Sequence, residues 1–480
     1  MASVDTNSLK QFRRVTVMGL GLFGGGAGAA RFFAGLGAAV TVTDTAKAEK
    51  LAPSLRTLDG LGIRFVLGHH DEADFTEADL VVANQAVRPD NPFLAAARRA
   101  GVPVATETGL ALALNPSPWI GVTGSSGKST TASLLAAMLR RHDPNTLFGG
   151  NIGGDLLTRV ERRPASAPLV AELSSFQLTY LADDFAAGRI RPPAAAVITN
   201  LAPNHLDWHA DMNEYAAAKF GLLKYQQPNQ WAILNVEDSR LADWAKSAPG
   251  RVIHCGLNDS GQGDACFIAN GSVVARLDGS EKARLALDVF RLIGRHNLYN
   301  AVEATAAAVA ICGDDAAAAT GLAEFPGLPH RLENVGKVGG RLFINDSKST
   351  TPEAAVTALE AVEAPCVLIA GGHDKRAPFD RLAEVIQERA AGLVLVGAAG
   401  LRLGDSVERA ASVRPARLGA LPMKNAGEDF RAAVQAAFAM TPPDGAILLS
   451  PACASYGMFA NYEDRGERFR ALARELEERC

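Results

Sequence analysis

A short glycine-containing loop carries the residue types that bind phosphate groups. It follows the apolar stretch Ile120–Thr123 and opens a helix-forming stretch, Ser129–Arg141. Backbone N–H groups of such a loop bind phosphate oxygens, its lysine reaches the terminal phosphates, and its serine hydroxyl binds Mg²⁺. Val122 stands where the standard pattern has glycine, so the loop is a P-loop variant. We predict a nucleoside triphosphate site formed by Gly124, Ser125, Ser126, Gly127, Lys128, Ser129 and Thr130.

A second glycine pattern lies near the start of the chain. Gly19, Gly21 and Gly24 follow the apolar stretch Val15–Met18, and Asp44 comes twenty residues after Gly24. This spacing is typical of a dinucleotide-binding turn, in which an acid holds a ribose or a base. The same glycines also suit an ordinary tight turn between a strand and a helix. The pattern alone does not decide between these two interpretations.

Two further polar side chains follow predicted strands. Glu172 ends the stretch Leu169–Glu172, and His205 lies just beyond Ala195–Asn200. If both strands neighbour the phosphate-loop strand, the carboxylate and the imidazole share its carboxyl edge, where open parallel sheets bind ligands. They would then suit Mg²⁺. Taken separately, Glu172 is a charge at a helix start and His205 a loop residue.

Other candidate residues have weaker local signals. Lys219 lies on a helical stretch, where its local sequence predicts a surface lysine. Asn297 and Asn300 share a face near the start of a helix, and their amides either pair with a base edge or cap that helix. The segments 345–348 and 371–375 follow two late strands. They either place cations and hydroxyls on an anionic substrate or form plain surface turns.

The elements that position these residues alternate between strand and helix. The predicted strands are Val15–Met18, Val40–Thr43, Leu80–Ala83, Ile120–Thr123, Leu169–Glu172, Ala195–Asn200, Trp231–Asn235, Leu342–Asn345, Cys366–Ala370, Gly392–Val396 and Ala446–Ser450. Such alternation indicates βαβ units and parallel sheets covered on both faces. Between about 250 and 290 the pattern predicts a β meander. Proline-rich breaks near 117 and 325 divide the chain into three pieces.

Composition excludes several classes of protein. The chain has 480 residues, 48 basic against 52 acidic, and a net charge of −4, which argues against broad nucleic-acid binding. The chain contains no run of about 18 apolar residues, so the sequence predicts no membrane-spanning helix. Six scattered cysteines form no C-x-x-C pair, so we expect reduced thiols, most of them in the core, in a cytoplasmic protein. The polar N-terminal segment does not resemble a signal peptide. We expect a monomer.

At this point several blocks together resemble the Mur ligase family, and within it the branch that adds glutamate. They are TGSSGKS at 123–129, ELSSFQL at 172–178, GRHN at 294–297, GLPHRLE at 327–333, NDSK at 345–348 and SPACAS at 450–455. The resemblance covers about residues 14–475. Residues 14–115 look like a UDP-binding domain, which the folylpolyglutamate synthases lack.

The resemblance implies an α/β fold of three domains. These are a Rossmann-like UDP-binding domain at 1–116, a central P-loop ATPase-like domain with a parallel sheet at 117–324, and a Rossmann-like glutamate-binding domain at 325–480. It also implies ATP-dependent addition of D-glutamate to UDP-N-acetylmuramoyl-L-alanine through an acyl phosphate, in peptidoglycan precursor synthesis. Two Mg²⁺ ions would assist.

The resemblance also implies roles for single residues. Catalytic roles fall on Lys128, His205, Lys219 and Lys348, and metal binding on Ser129, Glu172, His205 and a carbamylated Lys219. Besides the phosphate loop, ATP contacts fall on Asn297, Asn300, Arg331 and Asp346. Contacts with the UDP substrate fall on Leu22, Phe23, Asp44, Thr45, Asn84 and Asn151. Contacts with glutamate fall on Thr350, Lys375, Ser455 and Tyr462.

The chain departs from the family pattern at a few positions. Ser125 and Ser126 replace Thr-Asn, Asn84 replaces a common serine, and Asn204 replaces an aspartate. Tyr462 stands where relatives often have phenylalanine, which leaves open L-glutamate or another amino acid as the substrate.

Two other classes of protein remain as alternatives. A nicotinamide-dependent dehydrogenase would use Gly19–Gly24 and Asp44 but not the phosphate loop. A non-catalytic nucleotide-binding regulator would keep the phosphate loop but would not need Glu172, His205 and Lys219.

Overall fold

A computed structural model describes residues 6–22, 24–161, 164–413 and 421–478. The first sheet contains β1 to β5, which are Arg14–Met18, Ala39–Asp44, Arg64–Leu67, Leu80–Ala83 and Val104–Ala105. Its helices α1 to α6 are Thr6–Leu9, Gly25–Gly35, Ala48–Arg56, Glu72–Thr76, Pro92–Arg99 and Glu107–Leu114. The strands are all parallel, in the order β3-β2-β1-β4-β5. This order places the turns after β1, β2 and β4 side by side at one edge.

The second sheet has nine strands. β6 to β14 are Trp119–Thr123, Leu147–Gly150, Leu169–Glu172, Ala195–Ile198, Trp231–Asn235, Arg251–Cys255, Ala265–Ala269, Ser272–Leu277 and Ser280–Ala286. Their order is β14-β13-β12-β11-β10-β9-β6-β8-β7, so the phosphate-loop strand β6 lies between β8 and β9. Helices α7 to α13 are Lys128–His142, Leu157–Glu161, Ser175–Ala186, Met212–Lys224, Ser239–Ala245, Arg295–Cys312 and Asp315–Glu324.

The predicted meander is only partly correct. The pairs β10-β11 and β11-β12 are parallel, whereas the pairs β12-β13 and β13-β14 are antiparallel. Turn residues at 270–271 and 278–279 close the two hairpins. The turn-rich segment 258–264 joins two parallel strands, so it does not form a hairpin, and turn chemistry alone could not reveal that difference.

The third sheet has six strands in the order β15-β16-β20-β17-β18-β19. β15 to β20 are Glu333–Val338, Arg341–Asn345, Cys366–Gly371, Ala390–Val396, Met423–Asn425 and Ala446–Leu449, and α14 to α18 are Pro352–Ala361, Asp380–Arg389, Gly400–Val413, Phe430–Met440 and Tyr462–Glu477. Only β15 runs antiparallel to its neighbour. One apolar cluster, around Leu368 and Leu448, and another, around Ile369 and Leu449, include residues that alternate along β17 and β20, so both faces of this sheet are covered.

The backbone divides into two compact units. The first contains residues 1–289 and 299–325, and the second contains residues 290–298 and 326–480. Three sheets with their own helices confirm the predicted three-domain α/β fold. The proposed boundaries near 117 and 325 stay predictions. The eleven predicted strands all occur with ends within two residues, and Asn200 lies beyond β9.

The described cysteines agree with the predicted reduced thiols. Cys255, Cys266, Cys366 and Cys453 are free and buried, and Cys312 is free and half-buried. Cys480 lies outside the described residues. Among the helices that the structure describes, none combines the length and the apolar character that a bilayer crossing requires.

Candidate functional site

The phosphate loop has the backbone shape that its glycines predict. Gly124 has φ 149° and Gly127 has φ 80°, and Gly127 forms the N-cap of α7. A Cβ at Gly124 would collide with the hydroxyl of Thr199, so only glycine fits there. Lys128 Nζ donates to the carbonyls of Gly124 and Ser125, both at 3.0 Å. The ammonium therefore lies over the loop at the helix N-terminus, where an anion is favoured.

The loop is held in place by the neighbouring strand. Ser126 N and Oγ donate to Asn200 Oδ1 at 3.0 and 3.2 Å, and Thr199 Oγ1 donates to Ser126 O at 2.6 Å. Sequence reasoning missed Thr199 and Asn200, the two residues that directly follow β9. Their position directly after a strand next to β6 is the signal that could have found them. Ser129 and Thr130 are buried in the first turn of α7.

Glu172 lies at the carboxyl end of β8, beside Val122 of the phosphate-loop strand. Its side chain is 1% exposed; Oε1 accepts from Asn151 Nδ2 at 2.9 Å, while Oε2 has no hydrogen-bond partner among the described residues. A buried carboxylate oxygen without a partner is costly unless a cation binds it. The next helix, α9, begins with a capping box between Ser174 and Gln177, which fixes the chain just after Glu172.

Lys219 is not the surface lysine that its local sequence predicts. It is 1% exposed, and Nζ donates to Gly124 O at 2.8 Å and to Thr123 Oγ1 at 3.2 Å. Burial, with a further contribution from the charge of Lys128, lowers the pKa of Lys219 to about 6. At pH 7 this side chain is therefore mainly a neutral amine beside the phosphate loop.

His205 lies on the exposed loop after β9, in the left-handed region with φ 55°. Its ring contacts Phe176 edge-on, with 4.8 Å between ring centroids. Partial burial and the nearby Lys128 charge lower the pKa of His205. A neutral imidazole is the form that binds metals.

An aromatic cluster that sequence reasoning missed surrounds His205 and Lys219. Tyr215 Oη lies 2.9 Å from Ser125 Oγ, and its ring centre lies 4.6 Å from Lys219 Nζ. The buried His209 contacts Ser175 Oγ through Nε2 at 2.9 Å. The spacing of four residues between His205 and His209, and between Tyr215 and Lys219, was the available signal.

Asn300, one of the two asparagines predicted to contact the nucleotide base, lies beside the phosphate loop. Asn300 Oδ1 accepts from Thr131 Oγ1 at 3.0 Å and lies close to Gly127. Thr131 was not predicted. Asn297 belongs to the other compact unit, where its Nδ2 donates to Ile293 O at 2.7 Å.

The predicted UDP contacts cluster at the edge of the first sheet. Asp44 accepts from Leu20 N at 2.9 Å and Gly21 N at 3.3 Å, so its carboxylate braces the glycine turn. Asn84 Nδ2 donates to Gly19 O at 3.3 Å. Two further contacts, Leu22 and Thr45, are exposed, and Phe23 lies outside the described residues. Asn151, also predicted to contact the UDP substrate, belongs to the second sheet's segment after β7 and lies beside Glu172.

In the second unit, Asp346 is the most deeply buried of the predicted ligands. Oδ1 accepts from Leu332 N at 3.1 Å and Oδ2 from Ser450 Oγ at 2.8 Å. Burial raises the pKa of Asp346 to about 6. Arg331 is half-buried, and its charge lowers the Asp346 pKa, which opposes the effect of burial.

The predicted glutamate contacts follow three neighbouring strands of the same sheet. Lys348 and Thr350 follow β16, Ser455 follows β20, and Lys375 follows β17. Lys348 Nζ lies 5.8 Å from the ring centre of Tyr462, and burial raises the pKa of that tyrosine to about 12.

No group of three or more His, Cys, Asp or Glu side chains that could hold a metal occurs in the part of the chain that the structure describes. Mg²⁺ in phosphate sites usually takes one or two carboxylates, with substrate phosphates and water completing its shell. The single unpartnered oxygen of Glu172 fits that pattern.

Three family models match the chain. Residues 13–106, 122–308 and 330–453 match the families described as Mur ligase MurD-like, N-terminal domain; Mur ligase middle domain; and Mur ligase, glutamate ligase domain.

The chain is also similar to curated proteins over nearly its whole length. It is 37% identical to the UDP-N-acetylmuramoylalanine–D-glutamate ligase of Symbiobacterium thermophilum, over 98% of this chain and 99% of that protein. It is 40% identical to the protein of the same name from Roseiflexus sp., over 96% and 98%. Among solved structures, UDP-N-acetylmuramate-alanine ligase of Thermotoga maritima has a TM-score of 0.59 at 20% identity, covering 96% of this chain and 99% of that one. That structural likeness shows the fold alone.

Proposed function

The chain belongs to the Mur ligase family, and we propose that it is the ATP-dependent ligase that joins D-glutamate to UDP-N-acetylmuramoyl-L-alanine in peptidoglycan precursor synthesis. The observation that carries the proposal is the edge formed by β6 and β8. There the phosphate loop, the partnerless oxygen of Glu172 and the buried Lys219 lie together. Neither a dehydrogenase nor a plain nucleotide-binding turn needs that combination.

The reaction must make an amide from a carboxylate, which is a poor acceptor at neutral pH. In the proposed sequence, a carboxylate oxygen of the UDP substrate attacks the γ-phosphorus of ATP, and ADP leaves. The glutamate amine then attacks the acyl carbon, inorganic phosphate leaves, and the amine gives up a proton. Both steps bring negative groups together, so cations and N–H donors at the phosphate loop stabilise the charge that develops.

Lys128 and the N-terminus of α7 supply fixed positive potential for the phosphates. Ser129, Glu172 and His205 would hold Mg²⁺, which when bound supplies charge neutralisation at the transferred phosphoryl group. The support for Glu172 is its buried, partnerless Oε2. Asn300, held by Thr131 near Gly127, would contact the nucleotide base.

Lys219 would act as a carbamate. Its neutral amine attacks the carbon of CO₂, a C–N bond forms, and one proton is released, which leaves an anion. The lowered pKa of Lys219 makes the reactive amine available at neutral pH. An anion next to Glu172 would complete the set of metal donors, whereas an ammonium there would repel a cation.

The remaining predicted contacts divide between the two outer sheets. At the first sheet, Asp44 and Asn84 would position the UDP part of the substrate. In the second unit, Asp346 and Arg331 would contact the nucleotide. The residues proposed to receive glutamate are Lys348, Thr350, Lys375, Ser455 and Tyr462.

A phosphate-release assay tests the proposal. Phosphate should appear only when ATP, UDP-N-acetylmuramoyl-L-alanine and D-glutamate are all present. L-glutamate run in parallel tests the choice of enantiomer. Equal release without the UDP substrate, or no release with the full set, would contradict the ligase assignment, and NADH binding in a fluorescence titration would favour the dehydrogenase.

A further inference from the structure

The loop that follows β17 is anchored at its start. Gly371 and Gly372 have φ 120° and 140°, and a Cβ on either would meet backbone carbonyl oxygens. His373 N then donates to Ala454 O at 2.9 Å, forming an isolated bridge with the chain just before Ser455. This places the next residues of the loop beside the segment that carries Ser455.

Asp374 in this loop is paired with an arginine from α16. Arg402 Nη2 donates to Asp374 Oδ1 at 2.6 Å, and Arg402 Nε donates to Oδ2 at 3.0 Å. Arg376 N adds a third hydrogen bond, to Oδ1 at 2.7 Å. These donors lower the pKa of Asp374 to about 2, so the carboxylate is ionised at every working pH.

Arg402 is itself fixed by two further contacts. Its guanidinium carbon lies 4.2 Å from the ring centre of Phe379, and Nη1 donates to Ala377 O at 2.8 Å. These two contacts therefore fix the orientation of the guanidinium plane that pairs with Asp374. A lysine could not reproduce this combination of stacking and paired donors.

The residue next to Asp374 is Lys375, which is exposed and makes no ion pair among the described residues. An aspartate directly beside it in the chain would be the natural partner of that ammonium. Arg402 donates to both oxygens of the Asp374 carboxylate and so neutralises its charge. The other two ionisable side chains of the loop, His373 and Arg376, are basic.

We propose that Arg402 is a positioning residue that withdraws the Asp374 carboxylate from Lys375 and so keeps the Lys375 ammonium free for a carboxylate of the incoming amino acid. This inference rests on the proposed function, in which Lys375 contacts glutamate. The role of Arg402 is indirect, because it acts through the charge that it neutralises.

The test compares KM values for D-glutamate, ATP and the UDP substrate in the full-length enzyme. Arg402→Met should raise KM for D-glutamate about tenfold, because Asp374 becomes free to pair with Lys375, while the other two KM values stay within about twofold. The double variant Arg402→Met/Asp374→Asn should return KM for D-glutamate to within about threefold of the parent. Arg381→Met is the matched control and should change nothing, since in the described part of the chain that exposed arginine forms ion pairs with Glu360 and Glu384 alone.

The double variant shows whether Arg402 acts by neutralising the charge of Asp374 or only by bracing the loop. If it is as impaired as Arg402→Met, then Arg402 only braces the loop and the inference is wrong. Asp374→Asn alone covers the case in which Arg402→Met fails to fold. It should leave KM for D-glutamate unchanged or lower it, and a rise would overturn the inference. Lys375→Met tests the premise separately, because an unchanged KM for D-glutamate there removes Lys375 from the proposed glutamate site whatever Arg402 does.

Discussion

Among the described residues, each compact unit buries one lysine or arginine side chain at the carboxyl ends of parallel strands, and the two side chains differ in their hydrogen bonds and in their charge. Lys219 in the first unit and Arg465 in the second are both 1% exposed. Lys219 has two acceptors, Gly124 O and Thr123 Oγ1. Arg465 has three hydrogen bonds: Nε to Ser347 Oγ at 2.9 Å, Nη2 to Ser347 O at 2.8 Å, and Nη1 to Cys453 O at 3.1 Å.

The two side chains also differ in their charge at neutral pH. Burial lowers the pKa of Lys219 to about 6 but that of Arg465 only to about 10. The lowered pKa therefore favours the neutral amine of Lys219 near neutral pH. The arginine keeps its charge and ties the segment after β16 to the segment after β20. Burying a lysine in this way favours chemistry, whereas burying a well-bonded arginine favours a fixed arrangement of loops.

The largest expected effect comes from removing the lysine amine. We expect Lys219→Ala to lower kcat about 10³-fold, since it removes the proposed carbamate from the transition-state charge network. Added formate or acetate should restore measurable activity, because a short carboxylate can occupy the same place. Steady-state kinetics with each anion measures both effects.

Two controls accompany this variant. Chloride at equal ionic strength should not rescue Lys219→Ala, because screening supplies no ligand. Lys224→Ala alters an exposed lysine on the same helix and should keep full activity. Near-normal kcat in Lys219→Ala, or equal rescue by chloride, would place Lys219 outside the mechanism.

The next effect concerns the arginine and should appear in stability. Arg465→Met leaves the carbonyls of Ser347 and Cys453 without their donors in a buried place. We expect the free energy of unfolding to fall by about 2–4 kcal/mol, as measured by urea denaturation. Arg468→Met, on the exposed side of the same helix, should cost less than about 1 kcal/mol. Equal losses in both variants would show that Arg465 has no special structural role.

Much of the fold could be predicted, because strand signals are local. Short apolar stretches that alternate with helical ones gave all eleven predicted strands, and the phosphate loop could be recognised from Gly124, Gly127 and Lys128. Short strands with mixed or small residues escaped, among them β5, β7 and β19. Their pairing depends on neighbours that are far away in the sequence.

The site was harder to predict than the strands. Nothing in the local sequence distinguishes Lys219 from Lys224, yet one is buried and the other exposed. The same holds for Arg465 and Arg468 on α18. Which face of a helix meets a sheet edge is a tertiary property, so the family resemblance singled out Lys219 where the local pattern did not. Arg465 was missed by both.

The smallest expected effect is a dependence of stability on pH, and it tests the comparison directly. The folded-state pKa of Lys219 is about 6, well below its ordinary value of 10.5. Between these values the unfolded chain holds a proton on Lys219 that the folded chain has released. Unfolding therefore takes up a proton, and stability rises with pH across this window by up to about 1.4 kcal/mol per pH unit from this group. Lys219→Met removes the group, so the wild type should gain about 2–3 kcal/mol relative to this variant between pH 6.5 and 8.5.

Arg465 should behave differently over the same range. Its pKa of about 10 keeps it protonated in both the folded and the unfolded chain up to pH 8.5, so the loss in Arg465→Met should not change with pH. Urea titrations measure the difference in the free energy of unfolding between the wild type and each variant. Buffer free of CO₂ and Mg²⁺ keeps the carbamate and a bound cation out of that measurement. The groups that interact electrostatically with Lys219 are Lys128, Glu172, His205 and His209, and both proteins contain all four. If the stability difference between the wild type and Lys219→Met does not change with pH, the buried amine keeps its proton. The contrast between a lysine that reacts and an arginine that holds loops together would then fail at the lysine, because a protonated amine cannot attack CO₂.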